Sequence, residues 1–254
     1  MTTLLYDGTF AGLFTAVFEV FEYRYKPAEI IKQEDYSTET FFTEHHHVLT
    51  DDGKADRVLA RLEKNLGKKG IAQLLRVYLS EQPEAERLIL SAVYQAIAEP
   101  RKNILENYAD PDIMAIAKIT KSISREVHRM HAFVRFEKLQ DEVYFAKIEP
   151  DYNVLSLIIS HFKNRYRDQK WMIYDLRRQY GAFYDLDSVQ FFERGLNISQ
   201  NLSKTANLLH AEELNYQTLW QRYFTKTNIP ERKNLKLHVQ SLPKRYWKYL
   251  TEKI

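Results

Sequence analysis

In the second half of this 254-residue sequence, basic residues that can bind phosphate groups recur together with residues that carry flat aromatic rings. Arginine pairs bidentately with phosphate oxygens, and tryptophan stacks on unpaired bases. Histidine and asparagine add further hydrogen-bonding groups. The candidates for such contacts are Arg125, His128, Arg129, Arg165, Trp171, Arg177, Arg178, Arg222, Arg232, Asn234 and Arg245. Their combination of cations and rings predicts a surface that binds nucleic acid.

A structural interpretation of the same residues stays open. Basic side chains commonly solvate the exposed faces of helices without binding a ligand. Trp171 could pack within a sheet, with Arg177 and Arg178 exposed in the turn that follows. Trp220 and Trp247 are expected in the core, because tryptophan buries a large area whenever its ring N–H finds a partner.

Three carboxylates are candidates for acid–base catalysis. Asp7 follows a predicted strand, Asp175 stands beside two arginines, and Glu213 comes one helical turn before an aromatic residue. A base-excision enzyme needs such a carboxylate to position water, together with a pocket for a flipped base. Asp175 could instead be an arginine partner, and Glu213 could mark the start of a helix. The sequence therefore leaves open whether the protein is an enzyme.

The composition excludes several kinds of site. The chain has no cysteine, which rules out disulfides, thiolate zinc sites, iron–sulfur ligation and cysteine catalysis. His45, His46 and His47 are adjacent and cannot all face one ion, so we expect no metal site. No glycine-rich nucleotide loop occurs, and we expect no cofactor. The chain has no signal-peptide pattern and no apolar run of roughly 20 residues, so we expect a cytoplasmic protein that does not span a membrane.

Charge is distributed unevenly along the chain. The formal net charge is +3, yet residues 1–52 contain 3 basic and 10 acidic side chains, and residues 53–254 contain 34 and 24. The two parts thus carry net charges of −7 and +10. We expect a polyanion to associate with the most basic stretch, residues 226–254, which contains eight basic and two acidic side chains. The acidic part could instead serve assembly with another protein.

Hydrophobic periodicity predicts the elements that must position these residues. An apolar run at 4–6, a turn and a helix with apolar spacings of three and four form an α/β-like start. Helical blocks follow as far as residue 131. Alternating apolar residues at 133–148 and 171–186 predict two β-hairpins, and residues 154–162 between them predict a helix.

The predicted fold class is α+β. We expect a mostly helical protein with an antiparallel sheet of about four strands, formed by the two hairpins. One helix should lie across this sheet, and the basic C-terminus should be helical. The predicted division is an N-terminal strand, helix and helical region at 1–84, followed by a core domain at 85–254.

Five blocks of sequence carry a resemblance to a known family. They are REVHRMHAFVRF at 125–136, NVLSLIISHFKNRY at 153–166, WMIYDLRRQYGAFYD at 171–185, LWQRYF at 219–224 and ERKNLKLHVQSLPKRYWKYLTE at 231–252. Over about residues 85–252 the chain resembles a bacterial family labelled probable DNA metabolism protein, whose core is a domain of unknown function. The resemblance implies a role in DNA modification or repair beside a radical-SAM protein. Some relatives carry a uracil-DNA-glycosylase-like domain, but no catalytic residue comes with the resemblance.

These residues and this resemblance support three functional hypotheses. The first is an accessory protein of DNA metabolism that binds DNA through the basic, aromatic-rich surface and acts with a radical-SAM partner. The second is a nucleobase-directed hydrolase that uses Asp7, Asp175 or Glu213. The third is a protein-interaction module without affinity for DNA. The basic and aromatic residues favour the first.

Overall fold

The chain forms two compact units, Met1–Ile123 and Ser124–Ile254. The computed structural model describes residues 2–36, 44–100, 102–193, 209–210, 212–227 and 235–253. The units divide inside a long helix. The domain division that the sequence predicts, after residue 84, stays a prediction.

The first unit contains a three-stranded parallel sheet in the order β2-β1-β3. Its strands are β1 (Thr2–Tyr6), β2 (Ala28–Lys32) and β3 (Glu44–His47). The central strand β1 is buried at Leu4, Leu5 and Tyr6, as expected of a parallel strand that is covered on both faces. The strand predicted at 4–6 is confirmed.

The helices that begin in the first unit are α1 (Phe10–Glu22), α2 (Asp52–Leu79), α3 (Ala85–Ala98) and α4 (Pro111–Phe133). Thr9 caps α1 by accepting the Gly12 amide at 2.9 Å, and Asp51 caps α2 by accepting the Lys54 amide at 3.0 Å. Gly67 interrupts α2 with a φ of +68°, which glycine adopts without strain. α4 ends within the second unit.

The second unit contains a five-stranded mixed sheet in the order β4-β5-β6-β7-β8. Its strands are β4 (Glu137–Lys138), β5 (Tyr144–Ile148), β6 (Trp171–Asp175), β7 (Tyr180–Tyr184) and β8 (Val189–Glu193). β4 pairs antiparallel with β5, and β6 pairs antiparallel with β7. The two predicted hairpins and the helix between them, α5 (Leu155–Arg165), are therefore confirmed.

This sheet differs from the predicted one in two respects. β5 and β6 are parallel neighbours, because α5 carries the chain back to the other end of the sheet before β6 begins. β8 adds a fifth strand that runs antiparallel to β7. The sheet is thus mixed rather than wholly antiparallel, and it has five strands rather than about four.

The hydrophobic core of the second unit lies between α5 and the sheet. Ile158 and Phe162 of α5 are buried, as are Trp171 and Ile173 of β6. The Trp171 ring lies between Phe162 and Tyr184, with ring centroids 6.4 Å and 5.4 Å away. The predicted helix across the sheet is confirmed.

The C-terminal part of the second unit is helical, as predicted. It contains α6 (Glu213–Thr227), α7 (Leu235–Ser241) and a 3-10 helical turn at Lys244–Tyr249. Tyr246 and Leu250 anchor this part through buried side chains. In the described part of the chain, no helix is both long enough and apolar enough to cross a membrane.

Gly181 in β7 makes room for an aromatic ring of the neighbouring strand. It pairs with Phe192 of β8, and a Cβ at Gly181 would approach that ring to 2.3 Å. Gly181→Ala should therefore push the Phe192 ring aside and lower the free energy of unfolding by about 1 kcal/mol. Urea unfolding would measure this loss, and Gly181→Ala combined with Phe192→Leu should recover part of it. An unchanged urea midpoint for Gly181→Ala would contradict this packing.

His131 of α4 should make the stability of the second unit depend on pH. Its ring stacks on that of His161 of α5 at a centroid distance of 4.0 Å. Burial lowers the pKa of His131, and the nearby His161 and His128 lower it further. The unfolded chain then binds more protons than the folded one, so the free energy of unfolding should fall as the pH drops from about 7 through 6.5.

A variant that keeps a ring at this position would test that dependence. His131→Phe retains the stacking partner of His161 and removes the titrating group. Its free energy of unfolding in urea should change less between about pH 7.5 and about pH 5.5 than that of the unmodified chain. Equal changes in the two proteins would show that His131 does not cause the dependence.

Candidate nucleic-acid interface

Four of the predicted arginines converge on one polar cluster in the second unit. They are Arg129, Arg177, Arg178 and Arg245, and they meet around Glu126 and the loop at 149–153 that joins β5 to α5. Arg245 pairs with Glu126 at 3.0 Å and with Asp151 at 2.7 Å. Arg129 lies 3.4 Å from Glu126.

The other two arginines bind the loop directly. Arg178 donates to the carbonyl oxygens of Pro150 and Asp151, each at 3.2 Å, and pairs with Asp175 at 3.0 Å. Arg177 also donates to the Asp151 carbonyl, at 3.1 Å. These two guanidinium groups therefore hold the β5–α5 loop against the turn between β6 and β7.

Glu126 lies at the centre of this cluster, with 1% of its side chain exposed. Its Oε1 accepts hydrogen bonds from the Asp151 amide at 2.9 Å and from the Tyr246 hydroxyl. Burial raises the pKa of Tyr246, and the hydrogen bond to Glu126 raises it further. We call the cluster the Glu126 network; its members are Glu126, Arg129, Asp151, Asp175, Arg177, Arg178, Arg245 and Tyr246.

The side chains of the Glu126 network bind one another and the protein backbone. Its arginines contact three acids, Glu126, Asp151 and Asp175, and three backbone carbonyl groups, those of Pro150, Asp151 and Gln240, which uses part of their donors. A guanidinium group that already donates to a carboxylate has fewer donors left for a phosphate. These contacts give the four arginines a role in stabilising the second unit, and their contact with nucleic acid stays a prediction.

The other described cations of the predicted surface are exposed. Arg125 and His128 lie on α4, Arg165 ends α5, and Arg222 lies on α6. Arg165 covers the ring of its neighbour Tyr166 at 5.5 Å. Across the part of the chain that the structure describes, these exposed cations form no ion pair. Arg232 and Asn234 lie outside the described residues.

The three tryptophans lie in different surroundings, and Trp171 packs within the sheet, the alternative that the sequence left open. Trp171, predicted to contact nucleic acid, is 1% exposed and belongs to the core, so that prediction is corrected: no base can reach its ring. Trp220, expected in the core, is 40% exposed on α6. Trp247 is half-buried, and its ring N–H donates to the carbonyl of Leu242 at 3.1 Å.

Two of the candidate acids are held by their neighbours. Asp7 accepts hydrogen bonds from the Thr9 amide at 2.9 Å and the Thr50 hydroxyl at 2.8 Å. Burial opposes the ionisation of Asp7, but these hydrogen bonds outweigh it and lower the pKa. Burial raises the pKa of Asp175, although hydrogen bonds and charge from Arg178 act against it. Asp175 is thus the arginine partner that the sequence allowed.

Glu213, the third candidate acid, lies in a cleft. The cleft has a volume of about 670 Å³ and opens beside α6 in the second unit. Its walls include Arg135, Lys138, Glu213, Tyr216, Trp220 and Tyr223. We call it the aromatic cleft. Its volume lies within the range of small-molecule binding sites and is ample for one nucleobase.

Three aromatic rings of α6 line this cleft and remain exposed. Tyr216, Trp220 and Tyr223 are spaced by four and three residues, which places them on one side of the helix. The rings of Trp220 and Tyr223 stack with centroids 5.7 Å apart and planes 29° apart. A contiguous group of exposed aromatic side chains points to a binding surface, whereas single exposed apolar residues are common on any protein.

Arg135 fixes the position of the Trp220 ring. Its guanidinium carbon lies 6.0 Å from the ring centre, and the group pairs with Glu252 at 2.9 Å. The Trp220 ring N–H donates to the other Glu252 oxygen at 3.0 Å. Burial opposes the ionisation of Glu252, but the hydrogen bonds from Arg135 and Trp220 outweigh it and lower the pKa. Sequence reasoning missed Arg135, although the residue lies in the block at 125–136.

The histidine run near the N-terminus forms protein contacts. His46 lies 2.7 Å from Glu19, and the His45 ring lies 2.7 Å from the Tyr36 hydroxyl. Among the residues with a described placement, no group of three or more His, Cys, Asp or Glu side chains could hold a metal ion. The described residues thus offer no candidate metal centre.

Comparison with known families covers two thirds of the chain. A family model described as a domain of unknown function, DUF4130, matches residues 83–252. The chain belongs to this family. The predicted resemblance to a domain of unknown function is confirmed, and the DUF4130 match includes both the Glu126 network and the aromatic cleft. No curated protein matches the chain.

Proposed function

We propose that this DUF4130 protein binds single-stranded nucleic acid through the aromatic cleft. The observation that carries the proposal is the row of exposed rings on α6, formed by Tyr216, Trp220 and Tyr223. Bases stack on such rings regardless of sequence, because every base has a π-face. Bases of a duplex are already stacked on each other, so an unpaired strand fits this site better.

Cations beside the rings support the same ligand. Arg135 and Lys138 line the cleft. The Lys138 ammonium keeps hydrogen-bond donors beyond its pair with Glu142 and can contact a phosphate beside a stacked base. One or two phosphate contacts would give an affinity that falls gently with salt, since each contact contributes a slope of about −0.7 for single strands.

The biological setting of this binding is also a proposal. The resemblance described above favours DNA over RNA and an accessory role in DNA modification or repair. It also favours a radical-SAM enzyme as partner, and the chemistry would belong to that partner, because this chain has no cysteine to ligate an iron–sulfur cluster.

The hydrolase hypothesis has one observation in its favour, the position of Glu213 in the aromatic cleft. Both of its oxygens already accept hydrogen bonds, from the Lys138 amide and the Gln217 side chain. These contacts suit a fixed acceptor better than a base that must take a proton from water. Release of a free base from damaged DNA by the purified protein, lost in Glu213→Gln, would favour the hydrolase instead.

Fluorescence anisotropy with a labelled single-stranded oligonucleotide tests the binding proposal. Trp220→Ala should weaken binding by about 5- to 150-fold, which corresponds to the roughly 1–3 kcal/mol of one base–ring stack. Tyr223→Ala should have a similar but smaller effect. Tyr108→Ala, which removes an exposed ring in the first unit, is the matched control and should leave the affinity unchanged.

Two results would overturn the proposal. One is the absence of binding at low salt, which would favour the protein-interaction module. The other is an affinity that does not change in Trp220→Ala while the variant remains folded. A duplex of the same sequence should bind more weakly than the single strand.

A further inference from the structure

We propose that the aromatic cleft prefers guanine and that Glu213 recognises it; this inference rests on the proposed function. Glu213 begins α6, one turn before Tyr216 and two turns before Trp220. It lines the cleft, although only 8% of the residue is exposed. A base stacked on the rings of α6 would therefore meet a carboxylate at its edge.

The hydrogen bonds of Glu213 leave it able to accept more. Oε2 accepts the backbone N–H of Lys138 at 3.1 Å, and Oε1 accepts the side-chain N–H of Gln217 at 3.2 Å. A carboxylate has about four acceptor sites. Each oxygen of Glu213 thus retains about one free acceptor site, and the two oxygens belong to the same carboxylate.

The charge of Glu213 is not balanced by a nearby cation. The two cations of the cleft are paired with other acids: Arg135 with Glu252 at 2.9 Å and Lys138 with Glu142 at 2.5 Å. Within the described residues Glu213 itself makes no ion pair. A buried carboxylate without a countercharge gains from any ligand that brings hydrogen-bond donors.

Guanine is the base that meets this requirement. Its Watson–Crick edge presents two adjacent donors, N1–H and the N2 amino group, and both can point at one carboxylate. In adenine and cytosine the amino donor is next to an acceptor nitrogen, and in thymine the N3–H donor is flanked by two carbonyl oxygens. Those acceptors would face the negative carboxylate. This edge is free only in an unpaired base, which agrees with the preference proposed for single strands.

Oligothymidine strands that differ in one central base test the inference. The central base is guanine, hypoxanthine, adenine, cytosine or thymine, and hypoxanthine is guanine without its 2-amino group. By anisotropy, the guanine strand should bind the unmodified protein at least about tenfold more tightly than the hypoxanthine strand, since hydrogen bonds to charged groups are the stronger ones. The other three strands should bind more weakly still than the guanine strand.

Glu213→Gln separates recognition from stacking. Its side-chain carbonyl can still accept the Lys138 amide, so we expect the variant to fold. The guanine and hypoxanthine strands should then bind within about twofold of each other, and this ratio, rather than the affinity for any one strand, measures the recognition by Glu213. Trp220→Ala should instead weaken all five strands together.

The outcomes distinguish the inference from the function on which it rests. Equal affinity for all five strands, lost in Trp220→Ala, would overturn the guanine preference and leave the binding function standing. A guanine preference that persists in folded Glu213→Gln would assign recognition to another residue and also overturn the inference. No binding of any strand would overturn both. The comparison of guanine with hypoxanthine needs no variant, so it holds even where Glu213→Gln fails to fold.

Discussion

Glu126→Ala should lower the free energy of unfolding of the second unit by about 3–5 kcal/mol, the cost of removing one partner from a buried ion pair. This is a large part of the 5–15 kcal/mol that stabilises a typical domain. The side chain is buried, and its oxygens accept hydrogen bonds from Arg245, the Asp151 amide and the Tyr246 hydroxyl. Alanine leaves these donors without their acceptor inside the protein.

Tryptophan fluorescence during urea unfolding would measure this loss in the second unit. All three tryptophans of the chain, Trp171, Trp220 and Trp247, lie there. Glu126→Gln should cost less than Glu126→Ala, because an amide keeps one acceptor oxygen. Glu99→Ala removes an exposed ion pair with Lys102 and is the control, with no measurable change expected. A Glu126→Ala protein as stable as the control would contradict the expected contribution of Glu126 to the stability of the second unit.

Local patterns predict the elements of this fold better than their arrangement. The hairpins at 133–148 and 171–186 are visible as alternating apolar residues, and the strand at 4–6 as an apolar run. The parallel pairing of β5 with β6 is not visible, because it depends on where α5 returns the chain. No periodicity within either hairpin carries that information.

The arginines show why spacing alone does not identify the partners of a basic side chain. The sequence offers Asp175 as a partner for Arg177 and Arg178. It does not show that these arginines also bind loop carbonyl groups, or that Arg245 pairs with Glu126 and Asp151, because these groups are far apart in the chain. One feature of the sequence does indicate a buried ion pair. Glu126 stands three residues after the buried Ile123 and four before the buried Met130, so it occupies the apolar face of α4. An acid at such a position predicts a buried partner of opposite charge.

In the aromatic cleft, a residue that the sequence places in the core, Trp220, is exposed instead. The sequence favours a core position for Trp220 because tryptophan buries a large area, and Tyr216, Trp220 and Tyr223 share the spacing of one helix face. Spacing identifies a continuous apolar stripe, but whether a neighbour covers that stripe depends on tertiary packing. In the structure the stripe faces the cleft and is exposed. A stripe in which all three residues carry a flat ring with a polar tip is the available signal for a binding surface.

Asp175→Ala should lower the free energy of unfolding of the second unit by a similar amount, about 3–5 kcal/mol. Asp175 ends β6, and its side chain is fully buried. Oδ1 accepts the amides of Arg177 and Arg178 at 2.9 Å and 3.1 Å, which closes the turn into β7, and Oδ2 pairs with the Arg178 guanidinium at 3.0 Å. Alanine removes the acceptor of the turn amides and leaves the Arg178 charge unbalanced beside the sheet.

Asn in place of Asp175 separates the role of the acceptor from the role of the charge. Burial outweighs Arg178 in setting the pKa of Asp175, so the ionised carboxylate carries a desolvation cost that asparagine avoids. Asparagine also keeps an oxygen for the two turn amides, and Asp175→Asn should therefore cost only about 1–2 kcal/mol. The same tryptophan-detected urea unfolding would measure both variants. Equal losses in Asp175→Asn and Asp175→Ala would show that the stabilisation comes from the ion pair with Arg178 and not from the hydrogen bonds to the turn amides.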